Sequence, residues 1–313
     1  MLQQDSEEWA TKRLLDLFLA LSTLPVLVFL WHCYRMGWEE TPQATIVPLN
    51  FNEETPFGTE LGSGTDCHLY RYLQDYAGRY SWSGMSRVHR GICRQSLNFR
   101  ESRGVQNPGV FFLPNLPSAP YLSHDAQRHD VETLEHGFPA ILMDFGALQQ
   151  DFTNDTNSAV AAGWTPNPVG GQYTFYLYRK GVRVTGNCHS CPRTYRLLSS
   201  LRTFIGGNIF GSAGFSVLFP GVTLPAKCGP TNTRVRCQLG IKIPSGCELV
   251  VGGEPQCWAE GHCLLVDDSF LHTISHNGLV EDGPQVLFMV DLWHPNVAAV
   301  ERQALDFIFA SRR

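Results

Sequence analysis

Between Tyr173 and Trp293 the chain breaks into short runs of β-branched and aromatic residues, each closed by Gly, Pro, Asn or Asp. That punctuation constrains the fold more than any other feature. Tyr173–Tyr178 comes first, followed by Phe215–Leu218, Val235–Ile243, Glu248–Val251, Cys263–Val266 and Val286–Trp293. Short strands at such spacing predict a sandwich or barrel, and a double-sheet jelly roll accommodates the count. The 29 Gly and 19 Pro suit a turn-rich β chain better than a helical bundle. Helices are expected upstream. A short one spans Leu69–Tyr76, and Ser123 is placed to cap another, with Asp125 in its first turn. Val131, Leu134, Phe138, Ile141, Phe145 and Leu148 then recur at a helical period, and Pro139 should split that run into two helices. The expected class is mainly β with flanking helices.

A second feature lies at the N-terminus. Leu17–Trp31 carries no charge, and the apolar run reaches Leu14–Tyr34 if Asp16 is tolerated near its edge. Its 21 residues are enough to cross a bilayer core of ~30 Å. A signal peptide would end in small residues, whereas this run ends in Trp31-His32-Cys33-Tyr34. The reading is a membrane anchor at 14–34, preceded by a cytoplasmic tail at 1–13. Lys12 and Arg13 precede the span and only Arg35 follows it closely, which predicts a single-pass type II protein with a lumenal or extracellular C-terminal part. Residues 35–66 read as a stalk, 67–122 as an N-terminal extension, and 123–313 as the jelly-roll domain. Asn154-Asp155-Thr156 is a glycosylation sequon. A net charge of −5 without a Lys/Arg run gives no footprint for nucleic acid.

Residues able to carry chemistry are few. His272 and His276 sit on a strand-like run, where extension would hold them ~13 Å apart, too far for one ion. Cys188 and Cys191 form a CxxC without a second pair, which reads as a loop disulfide or two thiols. Cys237 and Cys263 fall within strands and read as buried thiols. Arg234 and Arg236 share one strand face. They are either a paired guanidinium site for carboxylates or two exposed arginines on an edge strand. Asp291 and His294 could support a site or cap the last strand.

Gly229-Pro230-Thr231-Asn232, the Arg234/Arg236 strand, Asp267–His272 and Val290–Pro295 together resemble the aspartyl/asparaginyl β-hydroxylases. Cys247–Trp258 adds likeness to the small membrane-anchored group within that family. The resemblance runs from about Leu73 to the C-terminus. It implies a double-stranded β-helix, Fe(II) held by two histidines, 2-oxoglutarate as co-substrate, and hydroxylation of Asp or Asn in lumenal proteins. By it, His272 is the second iron histidine, and Ser216 and Arg236 belong to the 2-oxoglutarate pocket. Lys227 stands where the first iron histidine belongs, and Gly229 at the position of the absent carboxylate. Gln238 replaces a pocket histidine, Gln285 the arginine that clamps the distal carboxylate, and Gln172 a pocket tryptophan. An ammonium has no lone pair for a metal. The favoured expectation is therefore a non-catalytic domain with a lumenal peptide or protein partner, its cleft using Arg234 and Arg236. The alternative is an active dioxygenase, with Lys227 deprotonated or with Cys228 or Cys237 as substitute ligand.

Overall fold

A computed structural model of the chain describes residues 65–96, 105–151 and 156–311. All of them belong to the second of two units, Met1–Leu61 and Gly62–Arg313. The expected span Leu14–Tyr34 and Asn154 lie outside the described residues, as does the stalk up to residue 64. Thr65 and Asp66 open a helix instead of closing the stalk. Among the described residues no helix is long and apolar enough to cross a membrane.

Twelve strands are described: β1 (Tyr121–Leu122), β2 (Thr165–Pro166), β3 (Gln172–Arg179), β4 (Val182–Arg183), β5 (Ala213–Leu218), β6 (Val222–Thr223), β7 (Arg234–Lys242), β8 (Cys247–Val251), β9 (Glu254–Gln256), β10 (Cys263–Val266), β11 (His272–His276) and β12 (Gln285–Trp293). The larger sheet runs β1-β10-β7-β12-β5-β3-β2, with β4 on β3; the smaller runs β6-β11-β8-β9. From β5 onward the chain passes back and forth between them. β5, β7, β10 and β12 lie in the larger sheet, while β6, β8, β9 and β11 lie in the smaller. That alternation is a double-sheet jelly roll.

Side-chain alternation assigns each face of β7 a different task. Val235, Cys237, Leu239 and Ile241 join a core with Phe175, Phe215 and Phe288 of neighbouring strands. Helices α3 (Arg128–His136) and α4 (Phe138–Asp151) close this core with Val131, Leu134, Ile141 and Phe145; for numbering, α1 is Thr65–Arg79 and α2 is Ser86–Ser96. Phe215 packs 5.4 Å from Phe145 and 5.1 Å from Phe288, centroid to centroid. Each such ring contributes about 1.5–3 kcal/mol by leaving water. Arg234, Arg236 and Gln238, on the other face, are left to the space between the sheets.

Pro139 sits in the first turn of α4, and Gly137 separates α4 from α3, so the helical run is split as its proline requires. Ser123 stands at the N-cap of a 3-10 turn leading into α3, but its side chain makes no capping bond. Cys188 and Cys191 are not in a loop. Cys188 lies on α6 (Thr185–Ser190), after α5 (Thr156–Ala161), and Cys191 precedes α7 (Pro192–Leu198). Both are buried free thiols, because Pro192 starts a new helix and turns the junction into the core. Helices α1 and α2 pack Leu73, Tyr76, Val88 and Ile92 against Leu305 and Ile308 of α8 (Ala299–Ile308).

Candidate functional site in the inter-sheet cleft

The two sheets leave a cleft of about 280 Å³ between them. β7 and β12 supply Arg236, Gln238 and Met289; β8 and β11 supply Leu249, His272 and Ile274. Lys227, Arg179 and the segment Thr165–Pro168 also line it.

Lys227 and His272 are directly opposed. They exchange both backbone bonds, Lys227 N–H to His272 O at 3.0 Å and His272 N–H to Lys227 O at 2.9 Å. Directly paired residues project to the same face. His272 donates Nδ1–H to the Phe270 carbonyl at 3.0 Å, which leaves Nε2 free of that bond. Burial lowers the His272 pKa, with Arg236 and Lys227 adding to the effect against Asp268, so the ring is neutral. Partial desolvation also lowers the Lys227 pKa, helped by Arg236, although the residue is exposed.

Arg234 and Arg236 do share a face, but neither reading made from the sequence survives. They are not exposed, and they are not free for a ligand. Arg234 binds Asp268 through Nε at 3.1 Å and Nη2 at 2.5 Å, and Asp291 through Nη1 at 3.0 Å. Arg236 binds Asp291 through Nε at 2.9 Å and Nη2 at 3.1 Å, with Asp268 3.6 Å away. Two guanidiniums and two carboxylates thus neutralise one another. Burial alone would raise the Asp268 pKa; the two arginines hold it well below the carboxylate range. Asp291 therefore supports the site. His294 is buried and neutral, its pKa pushed down to about 4 by burial and by Arg87.

The remaining positions divide. Gln172 lines the cleft, donates to Ser216 Oγ at 3.0 Å and accepts from Asn167 at 2.8 Å. Ser216 is held one layer back through that bond. Gln238 accepts the indole N–H of Trp258 at 2.6 Å. Gln285 is buried beyond the cleft lining, and no partner meets its Nε2. Cys237 points into the helix-side core, which removes it as a substitute ligand. Cys228 does not line the cleft.

These residues do not fit Fe(II) and 2-oxoglutarate. His272 offers one lone pair, Lys227 a cation, and Asp268 a carboxylate already engaged by arginines. Gly229 cannot supply the missing carboxylate in place, because a Cβ there would lie 2.6 Å from the Asp268 carboxyl. Among the described residues no three His, Cys, Asp or Glu side chains converge as a metal site. Gln285 brings a neutral amide where the distal carboxylate needs a guanidinium fork. Asp268, Trp258, Asn167 and Arg179 went unassigned in the sequence. Only the acidic pair Asp267-Asp268, between apolar runs, carried a signal there.

The aspartyl/asparaginyl beta-hydroxylase family model matches residues 135–295, which contain β5 to β12. Aspartate beta-hydroxylase domain-containing protein 2 of Homo sapiens is 52% identical over 305 residues, spanning 92% of this chain and 82% of its own. Protein 1 of that designation, also from Homo sapiens, is 54% identical over 318 residues, with 96% and 80% covered. The aspartyl/asparaginyl beta-hydroxylase of Homo sapiens is 33% identical over 135 residues, 43% of this chain and 17% of its own.

Proposed function

This chain belongs to the aspartyl/asparaginyl β-hydroxylase family, and on that premise we propose that it is a single-pass type II membrane protein whose lumenal or extracellular jelly roll binds a carboxylate-bearing peptide or protein ligand without iron-dependent hydroxylation. The uncharged Leu17–Trp31 run and the preceding Lys12 and Arg13 support the membrane topology. The observation that carries the non-catalytic reading is the direct pairing of Lys227 with His272. A cation replaces a ligand where two neutral donors would be needed. The carboxylate preference rests on the charges left over. Arg234 and Arg236 are matched by Asp268 and Asp291, while Lys227 and Arg179 line the cleft without an ion-pair partner among the described residues.

The test is the iron content of the purified full chain after anaerobic loading, followed by conversion of 2-oxoglutarate to succinate. The expected result is no stoichiometric iron and no succinate. One iron per chain together with succinate formation would instead establish an active dioxygenase.

A further inference from the structure

Of the Phe, Tyr and Trp side chains among the described residues, four are exposed, and all four lie between residues 70 and 82. Tyr70 and Tyr72 stand on α1; Tyr80, 69% exposed, and Trp82, 49% exposed, stand on the turn that leads from α1 to α2. Elsewhere the exposed large apolar residues are aliphatic or Met. The aromatic surface is held in place from below. His89 of α2 meets both Tyr70 and Trp82, at 5.9 and 6.0 Å between ring centroids. Tyr80 lies 4.8 Å from buried Tyr76, which meets Phe307 of α8 at 5.6 Å.

The charges beside this surface are positive. Arg71 follows Tyr70, and Arg90 and Arg94 stand one turn apart on exposed positions of α2 next to His89. None of the three pairs with a carboxylate among the described residues, whereas Arg79 holds Asp75 and Arg87 holds Glu301. Tyr and Trp carry an apolar body and a polar tip, which suits them to the headgroup layer of a bilayer, and guanidiniums bind its phosphates. The chain supplies that bilayer itself. Residues 35–64 alone separate the proposed span from α1, at most ~100 Å of chain. Such a tether makes contact with the lipid surface intramolecular, so individually weak contacts suffice. Resting on the membrane topology proposed above, we infer that the α1–α2 hairpin is a second membrane contact, with Tyr70, Tyr80 and Trp82 seated in the phospholipid headgroup layer and Arg71, Arg90 and Arg94 on its phosphates.

The full chain in vesicles of phosphatidylcholine and phosphatidylserine, doped with a phospholipid whose headgroup is photoactivatable, tests this. Mass spectrometry of the lipid adducts should find them in peptides from residues 70–94 as well as in those bordering residues 14–34. Tyr80→Ser combined with Trp82→Ser should lower the hairpin adducts about five-fold, with the adducts beside 14–34 and the melting temperature unchanged. Arg71→Gln, Arg90→Gln and Arg94→Gln combined should lower them by about as much. Adducts beside 14–34 with none in the hairpin overturn the inference and leave the proposed topology standing. So do hairpin adducts that neither variant lowers. A hairpin shielded from hydroxyl radicals in native microsomes yet free of lipid adducts assigns the surface to a protein partner, and overturns the inference as well. Release of the chain by alkaline carbonate, with adducts in neither region, overturns the topology itself.

Discussion

At the scale of single residues the site is decided by charge. The Lys227–His272 pairing is made by backbone bonds, so exchanging the Lys227 side chain leaves the ladder in place. Lys227→His should therefore create a two-imidazole pair and a saturable Fe(II) titration that wild type lacks, read by calorimetry. Adding Gln285→Arg should raise 2-oxoglutarate affinity by about ten-fold, the effect of a charge-assisted hydrogen bond. Saturable Fe(II) binding by wild type would refute the role given to Lys227. Arg234 is 5% exposed and holds Asp268, Asp291 and the Phe210 carbonyl. Arg234→Met leaves two buried carboxylates with only Arg236 to share, and should cost about 3–5 kcal/mol in urea denaturation. A loss below ~1 kcal/mol would mean that the network contributes nothing beyond an exposed pair.

At the scale of elements, the turn between β10 and β11 packs against the segment between β6 and β7. Gly229 N–H donates to the Asp268 carbonyl, and a Cβ added at Gly229 would lie 2.6 Å from the Asp268 carboxyl. Gly229→Ala should cost about 1–3 kcal/mol, as overpacking does. Gly186→Ala on α6, where nothing lies within 4 Å of the added methyl, should be neutral or mildly stabilising. Equal stabilities for the two variants would contradict the close approach. On the same turn, Asp267 is buried and accepts from Ser269 N–H and Oγ. Burial raises its pKa to about 7 against those bonds, with Asp268 adding to the rise. Folded Asp267 then keeps a proton that the unfolded chain releases, so its contribution falls as pH rises from the ordinary carboxylate range to about 7, and stays low above that. Asp267→Asn should gain on wild type as pH rises from about 4 to about 7, and no further above that, in paired urea melts. A difference independent of pH would refute the shifted titration.

At the scale of the molecule, the proposed topology makes a prediction of its own. In sealed microsomes the domain from residue 65 onward should resist added protease and become digestible once detergent opens the vesicles. Digestion in intact vesicles would reverse the orientation inferred from Lys12, Arg13 and Arg35. The jelly roll was legible because its long strands are runs of β-branched and aromatic residues closed by Gly, Pro, Asn or Asp. β10 matches the expected run Cys263–Val266, and β7 and β12 begin one residue earlier than expected. β2, β4 and β6 have two residues each, too few for alternation to register, and were not anticipated.

The sequence by itself determined which residues share a face, because a period of two is local. It placed Arg234 with Arg236; the positions given to Lys227, Gln238 and Gln285 are what the family resemblance implies, not what the period shows. Only the tertiary structure decided what those residues meet. Asp268 and Asp291 reach Arg234 from 34 and 57 positions away, and Trp258 reaches Gln238 from 20. Strand register and the crossing of the chain between sheets bring them together, and no local period encodes either. The same arginine pair that reads as an open anion site along the strand is, across the strands, a closed and neutral network. Among the described residues, Lys227 and Arg179 are the cleft cations without an ion-pair partner instead.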